Sequence, residues 1–257
     1  MRRLRLIGIG AGHPDHVTIQ AVQALNEFDV LFVVTKDDDT SELVEHRRAV
    51  VARHRHAGPF RTVTLADPPR PWRDADDYRG AVANWRAQRA AQWGGALRDG
   101  LADGECGAFL VWGDPALYES TLTVIAELAE HTALALDYDV IPGISSVQAL
   151  TAAHRIPLNR VGRAVQVSPA RLLAGGMPDG VDDVVVMLDA QGTFERIPAD
   201  GIEIFWGAYL GTPDELLVAG PLGEVAGEIA RLRAEAKRRK GWMFDTYLLR
   251  RSGAERG

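Results

Sequence analysis

The spacing of apolar residues divides the chain into two regions of different rhythm. In the first, short unbroken apolar runs alternate with stretches of helical period. Residues 4–10, 30–34, 107–111 and 138–141 read as strands. Runs as apolar as Val30-Leu31-Phe32-Val33-Val34 and Gly107-Ala108-Phe109-Leu110-Val111 suit strands covered on both faces, as in a parallel sheet. Between them the period lengthens. Thr18 is placed to cap a helix whose Ile19, Val22, Leu25 and Phe28 share a face. Residues 42–56, 78–97 and 120–130 are further helices, and another opens at Val147-Gln148-Ala149-Leu150. Trp85 and Trp93 stand eight residues apart, on one side of their helix, and are expected in the core. From Ala164 onward strands dominate, at 164–167, 183–188, 202–209 and 242–249, with one strong helix over 225–240. That helix ends in a basic turn, which suits its dipole. The pattern predicts an α/β protein of two α/β domains: residues 1–158 around a parallel sheet and residues 159–257 around a smaller mixed sheet.

Composition narrows the function classes. Of 257 residues, 46% are hydrophobic and 25% charged, enough apolar surface for a real core. A net charge of -6 argues against non-specific nucleic-acid binding. An anionic ligand would need a local basic patch. His46, Arg47, Arg48, Arg53, His54, Arg55 and His56 offer one, either as an ordinary exposed helix face or as a rim that attracts a polycarboxylate. Asp37-Asp38-Asp39 reads as a solvated acidic run. Cys106, the only cysteine, rules out an intrachain disulfide and is expected to be buried rather than reactive. Met1-Arg2-Arg3-Leu4-Arg5 is basic, but the apolar segment behind it is too short and Gly-rich for a signal peptide. No apolar run approaches the roughly 18 residues that a spanning helix needs. A soluble, cytoplasmic protein is expected. No metal-ligand spacing, P-loop or nucleophile elbow occurs.

The candidate chemistry lies in three loops at strand ends. Gly8, Gly10 and Gly12 follow the first strand; Trp112-Gly113-Asp114-Pro115 follows another; Pro142-Gly143-Ile144-Ser145-Ser146 a third. Open α/β sheets bind ligands at the carboxyl ends of their strands. Pro115 fixes its own φ and pushes Asp114 out of the helical region, which makes a sharp break. Asp114 is then either a ligand group or a carboxylate satisfied by local amides. Ser145 and Ser146 either cap a helix or bind a carboxylate or ribose there. The first loop nearly matches the dinucleotide fingerprint G-x-G-x-x-G, with Asp37 as a ribose acid, but the third glycine position holds His13. A nicotinamide-dependent oxidoreductase is therefore a rival reading, and a non-catalytic ligand-binding protein another.

Taken together, the three loops resemble those of the tetrapyrrole methylases, which use S-adenosylmethionine. The family's elements stand here, in its order, as Gly8-Ile9-Gly10-Ala11-Gly12-His13-Pro14-Asp15, Trp112-Gly113-Asp114-Pro115 and Pro142-Gly143-Ile144-Ser145-Ser146. The resemblance covers the whole chain. Segments 111–118, 140–150, 206–212 and 241–249 resemble the branch of aerobic cobalamin biosynthesis that methylates C-1 of precorrin-5 and releases acetate. Another position on the macrocycle and diphthine synthesis are alternatives within the class. Ala11 and His13 depart from the Pro and Asp common in the family, and Val167-Ser168-Pro169-Ala170-Arg171 departs from an expected Thr-Thr-Gly-Arg.

The resemblance implies a cofactor cleft between the two domains. Ala11 would approach the cofactor through its backbone, and Trp112, Gly113, Asp114 and Leu117 would line its methionine side. Ser145 and Ser146 would contact it through amides and hydroxyls. Leu188, Ala208 and the Asp245-Thr246 edge would meet the adenosine. It also implies a tetrapyrrole partner and a homodimer, while the charge and the short apolar runs point to no nucleic acid and no membrane. Methyl transfer asks mainly for alignment of donor and acceptor. Deacetylation needs a positioned water and a general base, for which His13, Asp15 and Tyr118 are candidates. Arg155, Arg160 and Arg171 are candidates for the substrate carboxylates.

Overall fold

The computed structural model describes residues 1–35, 42–68, 76–131 and 134–253. The acidic run at 37–39, with the ribose-acid candidate Asp37, lies outside the described residues, as do Pro69 to Trp72. The chain forms two compact units, Met1–Gly10 with Pro14–Ile144, and Ala11–His13 with Ser145–Gly257.

The first unit is a doubly covered parallel sheet. Its strands are β1 (Arg2–Gly8), β2 (Val30–Thr35), β3 (Arg61–Ala66), β4 (Cys106–Val111) and β5 (Leu136–Ile141), in the order β3-β2-β4-β1-β5. All four pairings are parallel. The helices are α1 (Ile19–Leu25), α2 (Glu42–His54), α3 (Tyr78–Gly100) and α4 (Thr121–His131). On one face Leu4, Leu6, Phe32 and Phe109 pack with Trp93 and Leu97 of α3 and Val124, Ile125 and Leu128 of α4. On the other, Ile7, Ala108 and Leu110 pack with Ala21, Ala24 and Leu25 of α1 and Val50 of α2. Trp93 stacks on Phe109 at 5.0 Å and Phe109 on Phe32 at 5.4 Å, so the α3 tryptophan is core, as its spacing predicts. Cys106 is buried and its thiol is pushed up by desolvation, which makes it unreactive.

The details shift where polar edges blur the pattern. Ile19 is 80% exposed; the buried face of α1 is Ala21, Ala24 and Leu25, with Phe28 beyond its end. The sequence reading passes over β3, an edge strand whose Arg-Thr-Val-Thr run is too polar to announce itself.

The second unit holds α5 (Ser146–His154), β6 (Val165–Pro169), β7 (Asp183–Met187), β8 (Ile202–Ala208), β9 (Leu216–Pro221), α6 (Leu222–Lys240) and β10 (Asp245–Arg251). The strand order is β6-β7-β10-β8-β9, with β6 parallel to β7 and the other pairs antiparallel, which is the mixed sheet expected. Trp206, Tyr247, Phe194 and Ile229 fill its core. β9, ending in Gly220-Pro221, is a second edge strand the pattern does not announce. β10 begins at Asp245, three residues after the predicted start, because Gly241 ends α6 in the left-handed region and Trp242 and Met243 pack back on the core.

The division of the chain differs from the predicted boundary at 158 by one helix. α5 belongs with the second unit: Leu150 abuts Gly207, and His154 Nε2 lies 2.9 Å from the Trp206 carbonyl oxygen. Among the described residues no helix is long and apolar enough to cross a membrane.

One prediction concerns the edge of the first sheet. Arg61 donates two hydrogen bonds of 2.8 Å to Glu105, and the Ala102 amide adds a third, which lowers the Glu105 carboxyl from 4.5 to about 2. A carboxyl lowered by folding stabilises the fold above its unfolded pKa, and that contribution is lost as pH falls through the folded value. Urea denaturation of Glu105→Gln should show lower stability than the parent at pH 6, with the gap closing as pH falls from 4.5 to 2.

Candidate functional site

In the first unit the site begins with strand order. β4 lies between β2 and β1, and β5 on the far side of β1, so successive crossovers diverge at β1 and β4. That is a topological switch point, where such sheets bind ligands. There the backbones of three loops touch. A Cβ on Gly8 would sit 2.5 Å from the Gly143 nitrogen, and one on Gly143 would sit 2.0 Å from the Gly113 oxygen. Only glycine fits at these two positions. Gly10 and Gly113 form an antiparallel bridge, with the Gly113 amide donating to the Gly10 carbonyl at 2.8 Å. Gly113 has φ +68°, which glycine adopts without strain.

Asp114 fastens this junction. One carboxylate oxygen accepts from the Gly143 amide at 2.9 Å and the other from the Ala116 amide at 2.8 Å. The carboxylate is thus satisfied by amides, one local and one from the loop after β5, which lies on the far side of β1. Trp112 is half-buried against the His46 ring at 4.8 Å. Tyr118 is exposed at φ +52°, a conformation that costs a non-glycine residue about 1 kcal/mol or more.

The second unit gathers its own set of candidates at one end of its sheet. Register places Thr246 opposite Met187 and Asp245 opposite Ala208, so Leu188, Ala208 and the Asp245-Thr246 edge lie together. Leu188 has φ +58° and is 59% exposed; Tyr209, next to Ala208, has φ +50°. Of the four left-handed non-glycine residues among those described, Leu188 and Tyr209 directly follow β7 and β8, Tyr118 lies in the loop after β4, and Arg155 ends α5. Strained backbone of this kind clusters at binding sites. Ser145 caps α5 through the Val147 amide at 3.2 Å and donates to Gln148 Oε1. Ser146 Oγ accepts from Thr246 Oγ1 at 2.9 Å. Ala11 is buried, and Gly12 lies against the Leu210 carbonyl.

Several candidates are held in ways the sequence does not reveal. Asp15 is in a two-point ion pair with Arg53, which raises the Arg53 pKa, and His54 lies 3.4 Å from the same carboxylate. Asp245 is a buried acceptor for Arg233 and for Trp206 Nε1 at 2.9 Å, so its carboxylate is structural. Arg160 does not face outward for a substrate. Its Nε binds the fully buried Asp183 at 3.0 Å, and Arg250 binds the same carboxylate at 2.6 Å. Arg155 and Arg171 are exposed, as is His13. Part of the basic rim at α2 is internal bracing: Arg47 holds the Leu110 carbonyl at 3.1 Å, and Arg55, just past the helix, holds the Phe28 carbonyl at 3.1 Å with its guanidinium 4.2 Å from the Phe28 ring. Burial lowers the Arg55 pKa. The residues missed altogether are Asp189, Arg233 and Tyr247. Arg233 had no signal, being one of several cations in α6.

The dinucleotide reading loses its footing here. Its third glycine packs a helix directly against the strand. In this chain residues 9–18 separate β1 from α1. Among the described residues no group of three His, Cys, Asp or Glu side chains could hold a metal.

Comparison with known proteins agrees with this geometry. The family described as Tetrapyrrole (Corrin/Porphyrin) Methylases matches residues 3–226. A Sinorhizobium protein named precorrin-6A synthase (deacetylating) is 45% identical over 251 residues, 98% of this chain and 96% of that one. The crystal structure of a putative cobalamin synthesis related protein from Corynebacterium diphtheriae aligns with a TM-score of 0.82 at 35% identity, over 98% of this chain and 99% of that one. Uroporphyrin-III C-methyl transferase from Thermus thermophilus, complexed with S-adenyl homocysteine, shares the fold at a TM-score of 0.54 and 20% identity, over 96% of each chain.

The junction can be tested in the absence of any ligand. Asparagine at 114 keeps one acceptor and turns its NH2 donor toward a backbone N–H that needs an acceptor. Asp114→Asn should cost about 1–2 kcal/mol in urea denaturation and speed exchange of the Gly143 amide. Gly143→Ala should cost at least about 2 kcal/mol, since backbone on both sides blocks relaxation.

Proposed function

The chain belongs to the tetrapyrrole (corrin/porphyrin) methylase family, and from that premise we propose that it is an S-adenosylmethionine-dependent C-methyltransferase of cobalamin biosynthesis, converting precorrin-5 to precorrin-6A with methylation at C-1 and release of acetate. The observation that carries the reading is the glycine junction of β1, β4 and β5 at the switch point, joined by Asp114, in a chain 45% identical along its length to a precorrin-6A synthase. Cytoplasmic residence and a homodimer belong to the same proposal, by analogy with the family.

The residues present fit such a cofactor. An amino-acid end needs a fixed backbone turn bare of side chains, which Gly113 supplies at φ +68°. A nucleoside end needs apolar surface, which the exposed Leu188 provides in the second unit. When bound, S-adenosylmethionine supplies an electrophilic methyl group on a sulfonium. In this reading Trp112, Gly113 and Leu117 would hold the methionine end, with Asp114 acting through the backbone it fixes; Ala11, Ser145 and Ser146 would hold it through backbone and hydroxyl groups; Leu188, Ala208 and Thr246 would meet the adenosine. Asp245 acts through the backbone it fixes rather than through its carboxylate.

Deacetylation asks for a proton acceptor. Water attacks the acetyl carbonyl as the base takes its proton. The bond from the acetyl carbon to the macrocycle breaks, its electron pair stays on the macrocycle, and acetate leaves. Of the three candidates, Asp15 is neutralised by Arg53 and Tyr118 is a weak base at neutral pH, which leaves the exposed His13 as the proposed base. Arg155 and Arg171, both exposed, are proposed for the substrate carboxylates.

Turnover of precorrin-5 with methyl-labelled cofactor tests the proposal. One labelled methyl group and one acetate per product are expected; methylation without acetate would assign another position on the macrocycle. His13→Gln should lower acetate release at least about 100-fold with binding of S-adenosylhomocysteine unchanged. Full activity in His13→Gln, Asp15→Asn and Tyr118→Phe alike would remove the base from this set.

A further inference from the structure

The sheet of the second unit carries a buried ion cluster at each end, and the two differ in what they hold. At one end Asp183 takes Arg160 and Arg250, and both of those arginines also bind backbone carbonyls, at Arg251, Pro157 and Leu158. At the other end Arg233 reaches down from α6 with its two terminal nitrogens split. One binds the Asp245 carboxylate; the other donates to the Asp189 carbonyl at 2.6 Å. Asp245 also accepts from Trp206 of β8. One guanidinium thus joins the turn after β7 to the start of β10, and through Asp245 to β8.

The turn it holds is the strained one. Leu188 sits at φ +58° with its side chain exposed, and the next residue is fastened on all sides. The Asp189 carboxylate accepts from the Thr193 amide at 2.7 Å, the Thr193 hydroxyl at 3.0 Å and the Tyr247 hydroxyl at 2.8 Å. Arg233 takes its main-chain oxygen. An exposed leucine held out on left-handed backbone does nothing for the core. It makes sense as a surface offered to a flat apolar ligand group.

We propose that Arg233 is a positioning residue for the adenosine end of the cofactor, fixing the turn that presents Leu188 and the β10 edge that lies beside Ala208. This rests on the function proposed above. Arginine suits the task because its planar fork serves two acceptors at once, whereas a lysine ammonium is a point charge on one atom.

The Asp183 cluster supplies the control, since Arg250 is equally buried in the same sheet and fastened to backbone far along the strands. Thermal unfolding, calorimetric titration with S-adenosylhomocysteine, and amide exchange at residues 188 and 189 are compared for the parent protein, Arg233→Met, Arg233→Lys and Arg250→Met. Both methionine variants should lower the Tm. Only Arg233→Met should weaken S-adenosylhomocysteine tenfold or more and lose protection at 188 and 189. Arg233→Lys keeps the charge beside Asp245 without the bridge; it should recover Tm but not affinity, and it carries the test if the methionine variant does not fold. Unchanged affinity in both Arg233 variants overturns the proposal, and so does equal weakening in Arg250→Met. A parent protein that fails to bind the ligand overturns the functional reading instead; the exchange data then decide on the clamp, which unaltered protection at 188 and 189 would refute.

Discussion

The first unit depends on a constraint of space. Three strands of its parallel sheet, β1, β4 and β5, end where their connecting loops must pass within backbone contact of one another. Gly8, Gly113 and Gly143 make that passage, and Asp114 fastens it from the side by accepting the Gly143 amide. Glycine keeps the main chain bare at these strand ends, and the carboxyl ends of strands at a switch point are where such sheets bind ligands. The aspartate that looks like a ligand group in the sequence is better understood as the fastener of a backbone platform.

The second unit solves a different problem with buried charge. Asp183, Asp189 and Asp245 are all withdrawn from solvent in a small mixed sheet. Each is satisfied by arginines, hydroxyls or amides, as burial demands, because an unpaired carboxylate there would cost several kcal/mol. Tyr247 shares in this: burial and the neighbouring Asp189 carboxylate raise its phenol above its ordinary pKa, so it is a fixed donor. Ion pairs of this kind add little net stability, but they set where strand ends and turns lie. Leu188 and Tyr209, on left-handed backbone at the same end of the sheet, show what that placement accomplishes.

Much of this was legible in the chain. The apolar runs at 30–34 and 107–111 announced central parallel strands, and the motif order around Gly113-Asp114 and Pro142-Gly143 announced the family. The edge strands β3 and β9 were not legible, because half their residues face water and their alternation is short. Ion pairing escaped for a more general reason. Nothing local marks Arg160 as the partner of Asp183, or Arg53 as the partner of Asp15; those contacts join residues 23 and 38 positions apart. Hence Arg160, which by sequence resembles a substrate arginine, is committed to the core, and the basic face of α2 looks like a rim although part of it braces neighbouring carbonyls. Similarly, α5 follows a loop of the first sheet in sequence, yet its Leu150 and His154 pack against Gly207 and Trp206 of β8.

The central claim is that these strand ends hold S-adenosylmethionine rather than a dinucleotide. Calorimetric titration of the intact protein with S-adenosylhomocysteine, paired with NADH, addresses it most directly. The account predicts micromolar binding of the thioether and no heat with NADH. NADH binding with no response to S-adenosylhomocysteine would contradict it, and the glycines at the end of β1 would then need to be read as a nucleotide turn after all.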